Sequence, residues 1–178
     1  MQVNKRIQFT LILCALLIVI EVINMLTGRS LSQFGVIPRQ IDSLPMILTS
    51  PFIHANWGHL IANLTTLLVF LLLLGTQSQR RFLAITLWII VFTGVSVWLF
   101  GRPASHIGAS GVIYGYFGFL LLAGFRTKQL TQIAISIGVA VIYGSLVFGV
   151  LPQGGFVSWE SHLFGFVSGL IAAWHWAK

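Results

Sequence analysis

The sequence predicts an all-α, polytopic membrane protein with six spanning helices, and three observations carry that reading. Charged residues make up 7% of the 178-residue chain and hydrophobic residues 57%, whereas soluble proteins are roughly 25% charged. The apolar residues fall in six long runs, and a spanning helix needs about 20 of them. The ten Lys and Arg stand at the ends of these runs. A soluble fold of this size could not cover its surface with so few charges. That excludes a cytosolic enzyme, a disordered chain and a secreted disulfide scaffold. The net charge of +7 is read as a topology signal, so no nucleic acid is expected as a partner. Residues 1–178 read as one transmembrane domain with no separate soluble domain.

The first run, residues 7–27, follows Lys5 and Arg6 and so resembles a signal peptide. Its apolar stretch is too long for one, and no small-residue cleavage site follows before Gly28-Arg29, so it reads as a retained helix. Cys14 within it allows no intramolecular disulfide and reads as a buried packing residue. Residues 29–57 are broken by Pro38, Pro45 and Pro51 yet carry Phe34, Val36, Ile41, Ile47 and Ile53. Such a segment is expected to lie partly in the membrane interface. The remaining runs are 60–75, 82–100, 110–125, 131–150 and 161–177.

Six spans place both termini on one side. With the termini inside, that face collects Lys5, Arg6, Arg80, Arg81, Arg126, Lys128 and Lys178, and the outer face keeps Arg29, Arg39 and Arg102. This asymmetry follows the positive-inside rule and predicts cytoplasmic termini. Residues 29–57, 101–109 and 151–160 would face outward.

Only Glu21, Asp42 and Glu160 are acidic. Glu21 falls near the outer end of the first helix, where it reads as a snorkelling or capping residue. No chain of intramembrane carboxylates exists to support proton-coupled transport. A pair of buried Asp is impossible with one Asp in the chain, and the zinc motif H-E-x-x-H is absent. No metal or other cofactor is expected.

Neutral polar chemistry remains. His59 and Asn63 are four residues apart and share one helix face. Ser110 stands in Gly108-Ala109-Ser110-Gly111 at the start of the fourth helix, and His162 opens the sixth. Ser110 lies 16 residues from Arg126, His162 lies 16 from Lys178, and Asn63 lies 17 from Arg80. At 1.5 Å per residue each sits roughly 24–26 Å above its basic anchor. A hydrocarbon core of about 30 Å then puts all three at one depth, which points to a single site.

Packing offers a way to assemble it. Gly111, Gly115 and Gly118 share one face of the fourth helix, and His162, Gly165 and Gly169 share one face of the sixth. Small residues at this spacing let transmembrane backbones approach closely. Tyr114, one turn from Ser110, is placed to stack on His162. Ser110 at a helix start has free backbone N–H groups and the positive dipole end beside it, as an oxyanion requires. A neutral His162 can act as general base. The motif is not the G-x-S-x-G elbow of the α/β-hydrolases. His54 and His106 read as loop residues, and His106, four before Ser110, is the rival base. Glu160, two before His162, reads as a loop or cap residue that could also orient it.

At these residues the chain resembles the rhomboid intramembrane serine proteases, in their compact six-helix bacterial form. The matching pieces are His59-Leu60-Ile61-Ala62-Asn63, Gly108-Ala109-Ser110-Gly111 with Tyr114, and His162 with Gly165 and Gly169. One departure is visible: where many relatives carry Trp-Arg in the first outer segment, this chain has Pro45 and Met46. The resemblance implies a Ser110–His162 dyad without an acid, and an oxyanion hole formed by His59, Asn63 and the Ser110 N–H. It implies a bacterial inner-membrane location and a site opening to the periplasmic side. The fifth helix and residues 151–160 would gate lateral access. The partners would be the bilayer and substrates that are transmembrane segments of other proteins. The oligomeric state is unknown from sequence. Two rivals stand beside this reading: a non-catalytic rhomboid-like binder of membrane proteins, and a small transporter or channel.

Overall fold

The computed structural model describes residues 3–75, 77–155 and 157–178. The side chains of residues 3–5, Lys5 among them, and Phe156 in the segment before the last helix lie outside the described residues. All six expected runs are helical: α1 Val3–Leu26, α2 Trp57–Leu74, α3 Gln79–Phe100, α4 Ser110–Thr127, α5 Leu130–Tyr143 and α6 Trp159–Trp176. No strand is present among the described residues; one isolated bridge pairs Val36 with His106. Three helices start at polar caps, the residue type that satisfies first-turn N–H groups. Asn56 accepts from His59 N, Ser78 from Arg81 N and Ser158 from Ser161 N.

The fifth run departs from expectation. Its α-helix ends at Tyr143, and Gly144–Val150 continues as a 3₁₀ helix. Seven residues is long for this poorer hydrogen-bond geometry. The change begins at one glycine, and Gly149 within it packs against the Tyr114 hydroxyl with no room for a Cβ.

Four segments are long and apolar enough to cross a membrane by their own composition: Arg6–Leu26, Trp57–Leu74, Gln79–Phe100 and Leu130–Val150. Helices α4 and α6 are the other two, and their burial accounts for the difference. Gly111 through Leu120 are buried without a break, enclosed by α6, α5, α2 and α3. A helix covered by protein need not match lipid, so it can carry glycine and polar groups. α6 buries Gly165, Ser168, Gly169, Ala172 and Ala173 and leaves Val167, Ile171 and Trp174 exposed. The chain is therefore a multi-pass, all-helical membrane bundle built around the α4–α6 pair.

The glycine faces bring that pair into backbone contact. A Cβ on Gly165 would run into the Gly111 carbonyl, one on Gly169 into the Gly115 carbonyl, and one on Gly118 into the Phe166 carbonyl. No side chain separates the helices at these three levels. Three side-chain hydrogen bonds tie α3 to this pair: Trp88 Nε1 donates to Ser168 O at 3.1 Å, Thr93 Oγ1 meets Ser168 Oγ at 3.5 Å and Thr86 Oγ1 meets Tyr116 OH at 2.8 Å.

The segment between α1 and α2 is three short 3₁₀ turns, Ser30–Phe34, Ile41–Ile47 and Ser50–Phe52. It packs on the end of α3, where Val36 and Ile47 are buried with Val97. Arg39 donates to Leu99 O and Gly101 O, and Trp98 Nε1 donates to Gln40 O. Glu21 neither snorkels nor caps. It is 1% exposed and pairs with Arg29 at 2.5 Å, because the turn after α1 folds the cation back over it. Cys14 is half-buried rather than buried.

Candidate active site

Ser110, Tyr114, His59, Asn63 and His162 line one cavity of about 580 Å³. Four residues of α2, namely His59, Ala62, Asn63 and Thr66, form one wall, the stripe that i, i+3, i+4 and i+7 spacing produces. Ile113, Tyr114 and Leu146 lie deeper, and Asn56, Ser105, Val157 and Ser158 come from the flanking loops. The cavity thus mixes polar side chains with a larger apolar lining, and it is large enough for several waters at about 30 Å³ each.

His162 is held on two sides. Its ring stacks on Tyr114 with centroids 4.1 Å apart and planes 8° from parallel. Its Nδ1 lies 3.0 Å from the Gly149 carbonyl. A carbonyl only accepts, so Nδ1 carries the proton and Nε2 keeps its lone pair. His59 has the opposite tautomer. Its Nδ1 accepts the Ala55 N–H at 3.4 Å, which leaves Nε2–H as a donor. Asn63 is 5% exposed and gives one amide hydrogen to His59 O at 2.7 Å; the second hydrogen is not used by that bond.

Ser110 opens α4 behind Ala109, whose side chain offers no cap. The first-turn N–H groups beside the hydroxyl are accordingly available to an external acceptor. The preceding turn is fixed from below: Gly108 N donates to Ser50 O at 2.9 Å, and Ala109 N donates to His54 Nε2 at 3.4 Å. Gly108 has φ +115°, and a Cβ there would stand 2.8 Å from His59 Nε2. Only glycine combines that backbone with that neighbour.

His54 therefore contacts the site, although its sequence position reads as loop. It is buried, its ring meets His59 edge to face at 5.0 Å, and burial followed by the His59 charge lowers its pKa to about 4. No periodicity signals this, since His54 lies before the α2 cap and outside any helix.

His106 is occupied elsewhere. Its Nε2 donates to Arg102 O at 3.0 Å and its Nδ1 lies 2.6 Å from Ser158 Oγ. Its backbone pairs both ways with Val36, it lines a different cavity, and burial lowers its pKa. With both ring nitrogens bonded it has no lone pair for Ser110. Glu160 does not reach His162. It is buried and accepts from Arg102, through the backbone N–H at 3.3 Å and the Nε at 3.4 Å. The same guanidinium donates to Gln153 O and Val157 O, so Arg102 ties residues 153–160 to the loop before α4. Among the described residues no group of three metal-ligating side chains occurs.

The fold defines the class: a multi-pass helical membrane bundle built around two glycine-packed helices, with a cavity beside them. The rhomboid domain matches residues 42–178, and the chain belongs to the rhomboid family. An uncharacterized protein of Mycobacterium bovis is 38% identical over 169 residues, covering 90% of this chain and 70% of the relative. An uncharacterized protein of Mycobacterium leprae is 36% identical over 188 residues, covering 97% and 74%. Rhomboid-like protein 11, chloroplastic, of Arabidopsis thaliana is 29% identical over 150 residues, covering 74% and 52%.

Proposed function

We propose that this protein is a serine endopeptidase that hydrolyses peptide bonds in or near the transmembrane segments of other membrane proteins. The observation that carries the reading is the His162 tautomer. With Nδ1–H donated to Gly149 O, Nε2 keeps an acceptor lone pair, and His162 and Ser110 line the same cavity. Ser110 Oγ attacks the scissile carbonyl carbon while its proton passes to His162 Nε2. The carbonyl oxygen becomes an oxyanion beside the α4 N-terminus, with His59 Nε2–H and the free Asn63 amide hydrogen as further donors. His162 returns the proton to the leaving amine, and the acyl group remains on Ser110. A water then attacks the ester with His162 again as base, releasing the acid and restoring the serine.

Family membership and the exposed apolar helix faces support substrates that arrive through the bilayer. The distribution of Lys and Arg supports cytoplasmic termini and a site on the periplasmic side of a bacterial inner membrane. One labelling experiment tests the reading. A fluorophosphonate probe should modify the wild type and fail on Ser110→Ala, and cleavage of a model transmembrane substrate should vanish in the same variant. A wild-type protein that neither labels nor cleaves would leave a binding or transport role instead.

A further inference from the structure

The end of the bundle away from Ser110 has cations without acids. It carries the start of α1, the end of α2 and the start of α3, while Glu21, Asp42 and Glu160 all lie toward the other end. Arg6 illustrates the consequence. Its Cδ packs beside Gly75 at the end of α2, and its Nε is buried with no hydrogen-bond partner. Thr10, one turn along α1, is buried beside the half-buried Arg6. Together with Gln77 and Gln79 these residues supply the polar groups of a pocket otherwise lined by Phe9, Leu71, Leu74, Phe82 and Leu83.

That pocket continues into an apolar one. Phe9, Phe82 and Leu83 line both. Phe9 and Phe82 touch edge to face at 5.6 Å, and beyond them a cavity of about 170 Å³ separates α1 from α3. Leu13 and Leu17 form one wall, Leu83 and Ile90 the other, and Phe52 and Ala109 close the far end. The polar atoms that reach it are already paired. Thr86 Oγ1 bonds Tyr116 OH at 2.8 Å and Phe82 O at 2.8 Å. Such a slot offers nothing to water, which needs two to four polar partners. Along α3 it runs from Phe82 to Ile90, roughly 12 Å at 1.5 Å per residue, and its far lining, Phe52 and Ala109, lies toward the Ser110 end of the bundle. Leu83 is 52% exposed, so the slot opens sideways to the bilayer.

A cationic mouth with an unpaired buried guanidine nitrogen, leading to a dry slot between α1 and α3, fits an amphiphile with an anionic head. We propose that the α1–α3 crevice binds one anionic phospholipid, its phosphate on Arg6 and an acyl chain between Leu13 and Leu83. The Arg6 guanidinium forms charge-assisted hydrogen bonds to the phosphate, and the chain displaces no water that protein groups need. The tail ends against Ala109, the residue before Ser110, so the lipid also buttresses the turn that carries the serine.

Native mass spectrometry of the delipidated full chain tests this, with phosphatidylglycerol and phosphatidylcholine of identical acyl chains added in turn. The wild type should retain one phosphatidylglycerol at least tenfold better than phosphatidylcholine. Leu83→Trp and Leu13→Trp fill the slot from opposite walls and should each abolish retention. Arg6→Gln should bring the two lipids to near-equal, weak retention. Inorganic phosphate alone should not raise the melting temperature. Equal retention of both lipids by the wild type would overturn the proposal, as would undiminished retention in both Trp variants. So would phosphate matching the lipid's stabilisation, since the site would then hold a free anion. Fluorophosphonate labelling of Ser110 in the same samples reads the protease assignment separately, and its failure leaves the lipid result standing.

Discussion

Tyr114 and His162 lie face to face, one ring from α4 and one from α6, with centroids 4.1 Å apart. The stack and the Gly149 carbonyl together leave the imidazole one orientation. An aromatic pair of this kind is worth about 0.5–1.5 kcal/mol, or roughly 2- to 13-fold in rate if all of it is lost from the transition state. Tyr114→Phe keeps the ring and should keep kcat within about twofold. Tyr114→Ala should lower kcat across that 2- to 13-fold range. Turnover of a transmembrane substrate by folded protein checks both.

The two candidate bases, His162 and His106, should separate cleanly. Removing the base of a serine protease costs about 10⁶ in kcat, and His162→Ala should fall in that range while remaining folded. His106→Ala should keep measurable turnover but melt earlier, because its ring joins Arg102 O to Ser158. A dead, well-folded His106→Ala beside an active His162→Ala would reverse the assignment.

His59 and Asn63 should act on the transition state alone. Loss of one oxyanion donor costs about 10²–10³ in kcat. His59→Ala and Asn63→Ala should each be impaired by about that much with KM little changed, and each should still label at Ser110 slowly. If Asn63→Ala lowers the melting temperature markedly while turnover per folded molecule is unchanged, its bond to His59 O is its whole role.

The glycines should divide by what surrounds them. Gly165→Ala and Gly169→Ala push a methyl into a backbone carbonyl of α4, and overpacking costs typically 1–3 kcal/mol. Gly138 on α5 has nothing within 4 Å of a built Cβ. Gly138→Ala should instead stabilise by up to about 1 kcal/mol through helix propensity. Thermal melts in one detergent compare the three.

Acid should weaken the fold through His54. Its folded pKa, lowered to about 4 by burial and then by His59, lies below the ordinary 6.5, so the unfolded chain binds the proton first. The stability from neutral His54 is complete above about pH 6.5 and is lost as pH falls toward 4, at up to about 1.4 kcal/mol per pH unit. Melting temperatures from pH 7.5 to 4 should show that slope, and His54→Gln should flatten it.

Much of this architecture is legible in the residues alone. Paired glycines at helical spacing on 111, 115, 118 and on 165, 169 mark two faces that can only be satisfied by close backbone contact, and those faces meet. Equal distances from Ser110, His162 and Asn63 to basic anchors mark one depth, and all three line one cavity. The break of the fifth run at Tyr143 is not legible, because the apolar run continues through Val150 and periodicity does not distinguish α from 3₁₀.

The class is written in composition: a chain this apolar, with its Lys and Arg at run ends, satisfies its backbone in spanning helices. Composition also determined which residue types could do chemistry, since so few polar groups remain. Their partners depend on the packing of the folded chain. Glu21 pairs with Arg29, Glu160 with Arg102, His106 with Ser158, and His54 with the Ala109 N–H, and each of these is set by how a loop crosses the bundle. Helical periodicity orders residues within an element, whereas a hydrogen bond between elements depends on angles and distances that no local spacing encodes. The proposal of His162 over His106 rests on such bonds: His162 Nδ1 to the Gly149 carbonyl, and the two ring nitrogens of His106 to Ser158 and Arg102 O.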